Sequence, residues 1–187
     1  MNRDNDEVLI RDASVEDAAA VAGIGSRALA VQYRGVVDPV AVEAAIEQTY
    51  SEPAVADCIA RCAASDDAAF LVAERDGAVR AFLHYDAFGE EPELHRLYVD
   101  ETERGAGIGG RLVEELHSRL GPSTGYMLLV VEGNEGAVRF YERHGSRVAE
   151  SVDGLPYYGD HMGVDFPEET APFRLLLMRR RTEPVAD

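Results

Sequence analysis

The sequence predicts a single α/β domain in which one β-sheet is flanked by helices. Strand-like apolar runs and helix-period runs follow each other along the whole chain. Its 187 residues are 46% hydrophobic and 28% charged, which is ordinary for one soluble domain with its own core. Neither a repeat nor a linker interrupts this pattern. We therefore expect residues 1–187 to form one domain.

The first half of the chain predicts a strand, three helices and a hairpin. Val8–Arg11 reads as a short strand, and Ser14 followed by Asp17 indicates a capped start for a helix through about Leu29. The pattern breaks at Tyr33-Arg34-Gly35. The later elements are a helix opened by Pro39, a short helix at 54–63, and strands at 69–73 and 79–85 around the turn Arg75-Asp76-Gly77.

The second half predicts a glycine loop set between strands and helices. The strand Glu93–Val99 enters the loop, an amphipathic helix leaves it, and an apolar strand at 126–131 follows. After a short helix that begins near Asn134, two final strands are expected at 147–152 and 173–179. Between them, residues 154–170 read as a long loop, a kind of segment that is often functional.

The formal net charge of −17 argues against a nucleic-acid-binding function, since no basic stripe is present to offset a phosphate backbone. The acidic excess is most simply explained by a bias in the composition of the sequence. An acidic surface that attracts a cationic amine substrate is a weaker explanation. No apolar run approaches the ~20 residues that span a bilayer, so no membrane association is expected. The first eight residues contain no apolar signal core, which predicts a cytoplasmic protein.

The two cysteines, Cys58 and Cys62, lie four residues apart and should share one face of a helix. No second pair of cysteines or histidines stands nearby in the sequence to complete a zinc site. We therefore expect no metal site, and two buried thiols in a reducing compartment.

Residues 105–110 match G-x-G-x-x-G, the fingerprint of dinucleotide-binding folds. Two features argue against that interpretation. Five residues, 100–104, separate the strand from the first glycine, whereas the fingerprint closes its strand directly. The strand also carries Glu93, His95 and Arg96, although it would have to be buried on both faces.

Three spaced motifs instead resemble the GNAT superfamily of acyl-CoA N-acyltransferases. Arg104-x-x-Gly107-x-Gly109 resembles its acetyl-CoA signature, and Glu93–Val99 resembles its fourth strand. Asn134-x-x-Ala137-x-x-Phe140-Tyr141 resembles its second cofactor motif. The resemblance implies a mixed, mostly antiparallel sheet of six to seven strands with splayed central parallel strands. It places the cofactor-binding core at about 92–145; Ser146, where a bulky apolar residue is common, is the visible departure.

Acetyl-CoA is the implied cofactor, and its phosphates require several converging N–H donors. A glycine-rich backbone at the start of a helix provides such donors. The residues expected in this role are Gly105, Ala106, Gly107, Ile108, Gly109 and Gly110. Arg104 either binds a phosphate or caps the loop. By resemblance, the backbones of Leu97, Tyr98 and Val99 would pair with the pantetheine arm, and Asn134 and Ala137 would also contact the cofactor. The alternative for Asn134 is a helix N-cap, a role that is compatible with cofactor contact.

The resemblance also implies the catalytic groups. Tyr141 stands where the family's general acid lies, and its phenol can donate a proton to sulfur; the alternative is a core tyrosine. Strand alternation predicts that Glu93, His95, Leu97 and Val99 share one face. Either Glu93 or His95 could accept the proton of an ammonium group, and a water chain without a dedicated base is the alternative.

These expectations describe an N-acetyltransferase that acts on a primary amine of a small molecule or peptide by direct attack. Tyr33, Arg34, Tyr157 and Tyr158 are assigned to the wall of the acceptor site by position in the family alone. A non-catalytic acyl-CoA-binding or regulatory module of the same fold is the alternative, and a homodimer is a family-level expectation. The sequence leaves the acceptor itself open.

Overall fold

The computed structural model describes residues 8–180 as one mixed, seven-stranded sheet with helices on both faces. The expectation drawn from the N-terminal residues 1–7 lies outside the described range. The strands are β1 (Leu9–Asp12), β2 (Ala68–Arg75), β3 (Ala78–Asp86), β4 (Glu93–Val99), β5 (Tyr126–Val131), β6 (Ser146–Asp153) and β7 (Arg174–Arg180). The helices are α1 (Ala18–Gln32), α2 (Pro39–Tyr50), α3 (Glu52–Ala63), α4 (Ile108–Leu120), α5 (Glu135–Arg143) and α6 (Gly154–Met162).

The sheet has the order β1-β2-β3-β4-β5-β7-β6, and every neighbouring pair is antiparallel except β4 and β5. This arrangement confirms the predicted mixed sheet with a central parallel pair. In the described residues, β4 and β5 pair at Glu93 and Met127 alone. Beyond that point the two strands are no longer hydrogen-bonded to each other, so the sheet is open at its centre.

Two apolar clusters, one on each face of the sheet, form the core. The first contains buried residues of α1, α2 and α3, among them Val21 and Ile59, together with Phe82 of β3. The second packs α4 against the sheet through Leu112 and Leu116. The apolar side chains on both faces of the sheet are thus removed from water, and this burial stabilises the fold. Among residues 8–180, none of the helices has the length and apolar character to cross a bilayer.

The predicted face of β4 is partly wrong, because the strand contains a β-bulge. Its register steps from Leu94 opposite Tyr85 to Arg96 opposite His84, which leaves His95 as an extra residue. An inserted residue shifts the alternation of the residues on either side. Leu97 and Val99 consequently pack in the α4 cluster, whereas Glu93 and His95 lie on the opposite face.

The predicted loop at 154–170 is also partly wrong. Its first half folds as α6, and Phe173 packs so close to Gly154 that a Cβ there would meet its ring at 2.2 Å. Tyr157 and Tyr158 therefore lie on a helix packed on the sheet. Glycine, proline and acidic residues made this segment look irregular, and tertiary packing overrides such weak propensities. The remaining elements were predicted to within a few residues.

Candidate functional site

A cleft of about 710 Å³ lies where β4 and β5 separate. One wall is β4, from Leu94 to Val99, and the other is β5 with the turn that follows it. The end of α1 and the inner face of α5 complete the lining. The structure therefore places three of the sequence motifs around one cavity. They are the strand Glu93–Val99, the glycine loop and the helix that follows Asn134.

The strand edges that face this cleft are free to bind a strand-like ligand. The opposite edge of β4 is paired with β3 as far as Val99, and the opposite edge of β5 is paired with β7. Between Leu97–Val99 and Leu129–Val131 no ladder bonds are present in the described chain. Backbone N–H and C=O groups require partners, so a ligand that carries amide groups can add here as a missing strand.

The glycine loop delivers backbone donors to the mouth of the cleft. Gly105 and Gly107 adopt φ values of 84° and 77°, a left-handed conformation that favours glycine. Gly107 caps α4, and the first helical bond runs from the Arg111 N–H to the Gly107 carbonyl at 3.2 Å. The N–H groups of Ile108, Gly109 and Gly110 therefore precede the helical ladder and point out of its N-terminus.

Arg104 and Asn134 both line the cleft, and their side chains differ in the contacts that they make. Arg104 is exposed and takes part in none of the ion pairs found among residues 8–180. Asn134 caps α5, since its Oδ1 accepts a hydrogen bond from the Ala137 N–H at 3.1 Å. The capping alternative for Asn134 thus describes its Oδ1, and its amide nitrogen is a separate donor.

Tyr141 lines the same cleft from α5. Its ring packs edge-on against Phe140, with centroids 5.1 Å apart. Burial raises the pKa of Tyr141 well above its ordinary value. The phenol therefore keeps its proton at neutral pH and is available as a hydrogen-bond donor.

Glu93 lies apart from this cleft, in a second cavity of about 1000 Å³. Glu93 is 7% exposed. Its Oε1 lies 3.4 Å from His95 Nδ1, and its Oε2 accepts a hydrogen bond from the Tyr157 hydroxyl at 3.4 Å. His95 lines both cavities. Burial opposes its protonation, yet the carboxylates of Asp86 and Glu93, 3.1 and 3.4 Å from its ring nitrogens, raise the pKa of His95 to about 9. The two cavities thus meet at β4.

The four residues assigned to the acceptor wall separate into three groups. Tyr157 lines the second cavity beside Glu93. Tyr33 and Tyr158 pack edge-on with a hydroxyl–hydroxyl contact, and burial raises the pKa of Tyr158 to about 12. Arg34 is exposed on the turn after α1 and lines neither cavity.

The sequence reasoning missed His84 and Asp86 of β3. His84 stacks on His95 with ring centroids 4.8 Å apart, and its Nε2 lies 3.3 Å from Asp86 Oδ2. The Sγ atom of Cys58 lies 3.6 Å from His84 Nε2. The available signal was a pair of polar residues at i and i+2 after the apolar run 81–83, since such residues share one face of a strand.

Comparison with known proteins gives one family match. Residues 66–145 match the model of the acetyltransferase (GNAT) domain. A putative phosphinothricin acetyltransferase, YwnH of Bacillus subtilis (strain 168), is 26% identical over 84 residues, which are 41% of this chain and 51% of that protein. The match thus spans about half the length of this curated relative.

Solved structures resemble nearly the whole chain. PaiA N-acetyltransferase from Thermoplasma acidophilum, in complex with coenzyme A, has a TM-score of 0.73 at 22% identity, over 94% of this chain and 99% of that one. YncA, a putative acetyltransferase from Salmonella typhimurium with its cofactor acetyl-CoA, has a TM-score of 0.68 at 15% identity, over 97% of both chains. At these identities the likeness concerns the fold.

Proposed function

We propose that this chain is a member of the GNAT acetyltransferase superfamily, whose domain model matches residues 66–145, and that it transfers an acetyl group from acetyl-CoA to a primary amine. The observation that carries the proposal is the cleft between β4 and β5, which combines unpaired strand edges with unpaired N–H groups at the start of α4. An extended amide-bearing arm that ends in phosphates requires this combination. Few other ligands would use both the strand edges and the N–H groups of α4.

The residues of the cleft fit such a cofactor. The backbones of Leu97, Tyr98 and Val99 would form hydrogen bonds with the amides of its arm. The arm would then lie between β4 and β5 like a missing strand. The donors from Gly105 through Gly110 and the start of α4 would bind its phosphates. Arg104 supplies the nearby cationic side chain, and Asn134 and Ala137 line the wall opposite β4. In a chain with a net charge of −17, these local donors are what allow an anion to bind.

Tyr141 serves as the general acid in this proposal. When bound, the cofactor supplies an acetyl group on a thioester, from which a thiolate must depart. The phenol of Tyr141 stays protonated, lines the cleft and can donate its proton to that sulfur. Direct attack by the amine needs no nucleophile from the protein.

Glu93 is the proton acceptor we propose for the incoming ammonium group. The carboxylate lies in the second cavity, on the face of β4 that also carries His95. The acceptor would enter through this cavity and reach the first cleft across β4. Tyr157 lines the entry and contacts Glu93. Tyr33 and Tyr158 pack against each other and do not line this cavity, and Arg34 lines neither cavity, so Tyr157 is the residue that we retain for the acceptor wall.

The test measures thiol release from acetyl-CoA with a panel of small amines and peptide N-termini. We expect at least one amine to raise release far above hydrolysis. Tyr141→Phe should lower kcat by about 100-fold or more, the range of general acid catalysis, while the Kd for coenzyme A stays unchanged. Glu93→Gln should lower kcat/KM for the amine and leave coenzyme A binding intact.

Tyr85→Phe provides the matched control, because Tyr85 is buried against Tyr126 outside both cavities. It should leave turnover unchanged. Coenzyme A binding without any amine-dependent release would identify a non-catalytic acyl-CoA-binding module instead. A Tyr141→Phe variant that lost coenzyme A affinity and turnover equally would show that Tyr141 holds the cofactor and is not the acid.

A further inference from the structure

We propose that Cys58, Cys62 and His84 form a zinc site, with the fourth coordination position open to the second cavity. The proposal is independent of acetyl transfer. Cys58 and Cys62 occupy one face of α3, and His84 reaches them from β3. One ligand atom from each of the three residues lies within 4.8 Å of the other two.

The distance between Cys58 and His84 is that of two neighbouring ligands in a tetrahedral zinc site. Zn–S bonds of about 2.3 Å and Zn–N bonds of about 2.0–2.1 Å place neighbouring sulfur and nitrogen ligands about 3.6 Å apart. Cys58 Sγ lies 3.8 Å from His84 Nδ1 and 3.6 Å from Nε2. The spacing Cys-x3-Cys also falls within the range of zinc-binding cysteine pairs. The Cys62 ligand atom lies within 4.8 Å of the other two, a gap that side-chain rotation can close.

Asp86 supplies the second feature of a histidine-containing metal site. Its Oδ2 lies 3.3 Å from His84 Nε2, so the carboxylate can accept that N–H and leave Nδ1 free for the metal. His95, stacked on His84 and 3.1 Å from the other oxygen of Asp86, fixes the orientation of both. A carboxylate that holds a ligand histidine is a common partner in zinc sites.

The ligands are buried but accessible from one side. Cys58, Cys62 and His84 are each 4% exposed, and Cys58 and His84 line the second cavity. The walls of that cavity carry six acidic residues and three arginines, an excess of negative charge that favours entry of a cation. The acidic residues are Asp57, Asp86, Glu90, Glu91, Glu93 and Asp160, and the arginines are Arg61, Arg96 and Arg179.

Three protein ligands with one open position distinguish this cluster from a closed structural site. Thiolate and imidazole ligands favour Zn²⁺ over Mg²⁺ or Ca²⁺, which prefer oxygen. If the two cysteines only filled space in the core, they would not need a histidine and its carboxylate partner packed against them. The arrangement therefore indicates metal binding in preference to simple packing.

The experiment loads the chelator-treated full chain with Zn²⁺ alone and measures the bound metal per chain after dialysis. We expect one zinc per chain. Co²⁺ in its place should give thiolate-to-cobalt charge-transfer absorption and visible bands typical of four-coordination. Cys58→Ser and Cys62→Ser should each abolish that charge-transfer band or reduce it, and Asp86→Asn should weaken zinc affinity by about 10- to 100-fold.

His117→Gln serves as the control, since His117 contacts Tyr126 on the other face of the sheet and lies outside the cluster. It should bind zinc as the unaltered chain does. Zinc that is not retained by the unaltered chain, or a cobalt spectrum without thiolate charge transfer, would overturn the proposal. Neither measurement depends on the variants folding or on acetyl transfer, so failure here leaves the proposed function untouched.

Discussion

At the scale of single residues, Asp17 shows how one side chain joins several elements. Its Oδ2 accepts the Ser14 N–H at 2.8 Å, as the capping pattern predicts. Its carboxylate also accepts two N–H groups of Arg11 at 2.7 and 2.9 Å, and Arg11 reaches Glu74 on β2 as well. The hydrogen bonds from Arg11, more than any other contact, lower the pKa of Asp17 below its ordinary value.

Asp17→Asn should lower the free energy of unfolding at neutral pH by about 1 kcal/mol, the upper range for an ion pair that solvent reaches through one partner, here Arg11. Because the folded pKa is depressed, the stabilisation is complete above the unfolded value of about 3.9 and is lost as the pH falls through the folded pKa. Urea unfolding between pH 7 and pH 2 should therefore show the two proteins converging in acid.

Asp66→Asn is the control for this prediction, because Asp66 is exposed and lies in no ion pair found among the described residues. Its effect should stay within about 0.5 kcal/mol at every pH. A gap between Asp17→Asn and the unaltered chain that stayed constant down to pH 2 would contradict the electrostatic explanation.

At the scale of elements, the turn that leads into α4 depends on backbone conformation. Gly107 holds φ at 77° and has open space around the position of a Cβ. Gly77, in the hairpin between β2 and β3, has a similar φ of 71° and the same open surroundings. The two glycines thus carry equal strain on substitution, and only Gly107 lies beside the cleft.

Gly107→Ala and Gly77→Ala should each cost about 1 kcal/mol of stability, because a Cβ is disfavoured in the left-handed region. Gly107→Ala should additionally weaken coenzyme A binding by about 10-fold, since a shifted turn misdirects the N–H groups at the start of α4. Calorimetric titration and thermal unfolding measure the two effects. Equal losses of coenzyme A affinity in both variants would refute a local role for the loop.

At the scale of the whole molecule, the net charge of −17 is a source of self-repulsion. All 18 basic residues are arginines, and arginine pairs link distant segments, as Arg179 does with Glu91 at 2.8 Å and Arg27 with Asp100 at 3.1 Å. Such exposed pairs contribute little individually. The excess of carboxylates therefore governs how stability responds to salt.

Raising NaCl from about 0.01 M to about 0.15 M shortens the Debye length from about 30 Å to about 8 Å and screens this repulsion. We expect a gain near 1 kcal/mol, which raises Tm by about 2–4 °C for a chain of this size. KCl at equal ionic strength should act identically, and sucrose at equal osmolality should act less. A Tm that fell with salt would mean that ion pairs outweigh repulsion.

How far the sequence predicts this molecule depends on the range of the interactions involved. Glycines, capping residues and apolar periodicity act within a few residues, so the strands, most helices and the Arg104–Gly110 loop were readable directly. The segment at 154–170 was not, because contacts with distant residues such as Phe173 stabilise α6. The bulge at His95 likewise depends on its pairing with β3.

The sequence by itself determined the order of the elements and the motifs that line the cleft between β4 and β5. Only the packed structure shows that Glu93 lies in a separate cavity from Tyr141, and that His84, which contacts Asp86, meets the two cysteines of α3. The physical reason is that local patterns specify backbone conformation. Contacts between residues about 20 positions apart or more arise only when strands pair and helices pack across the sheet.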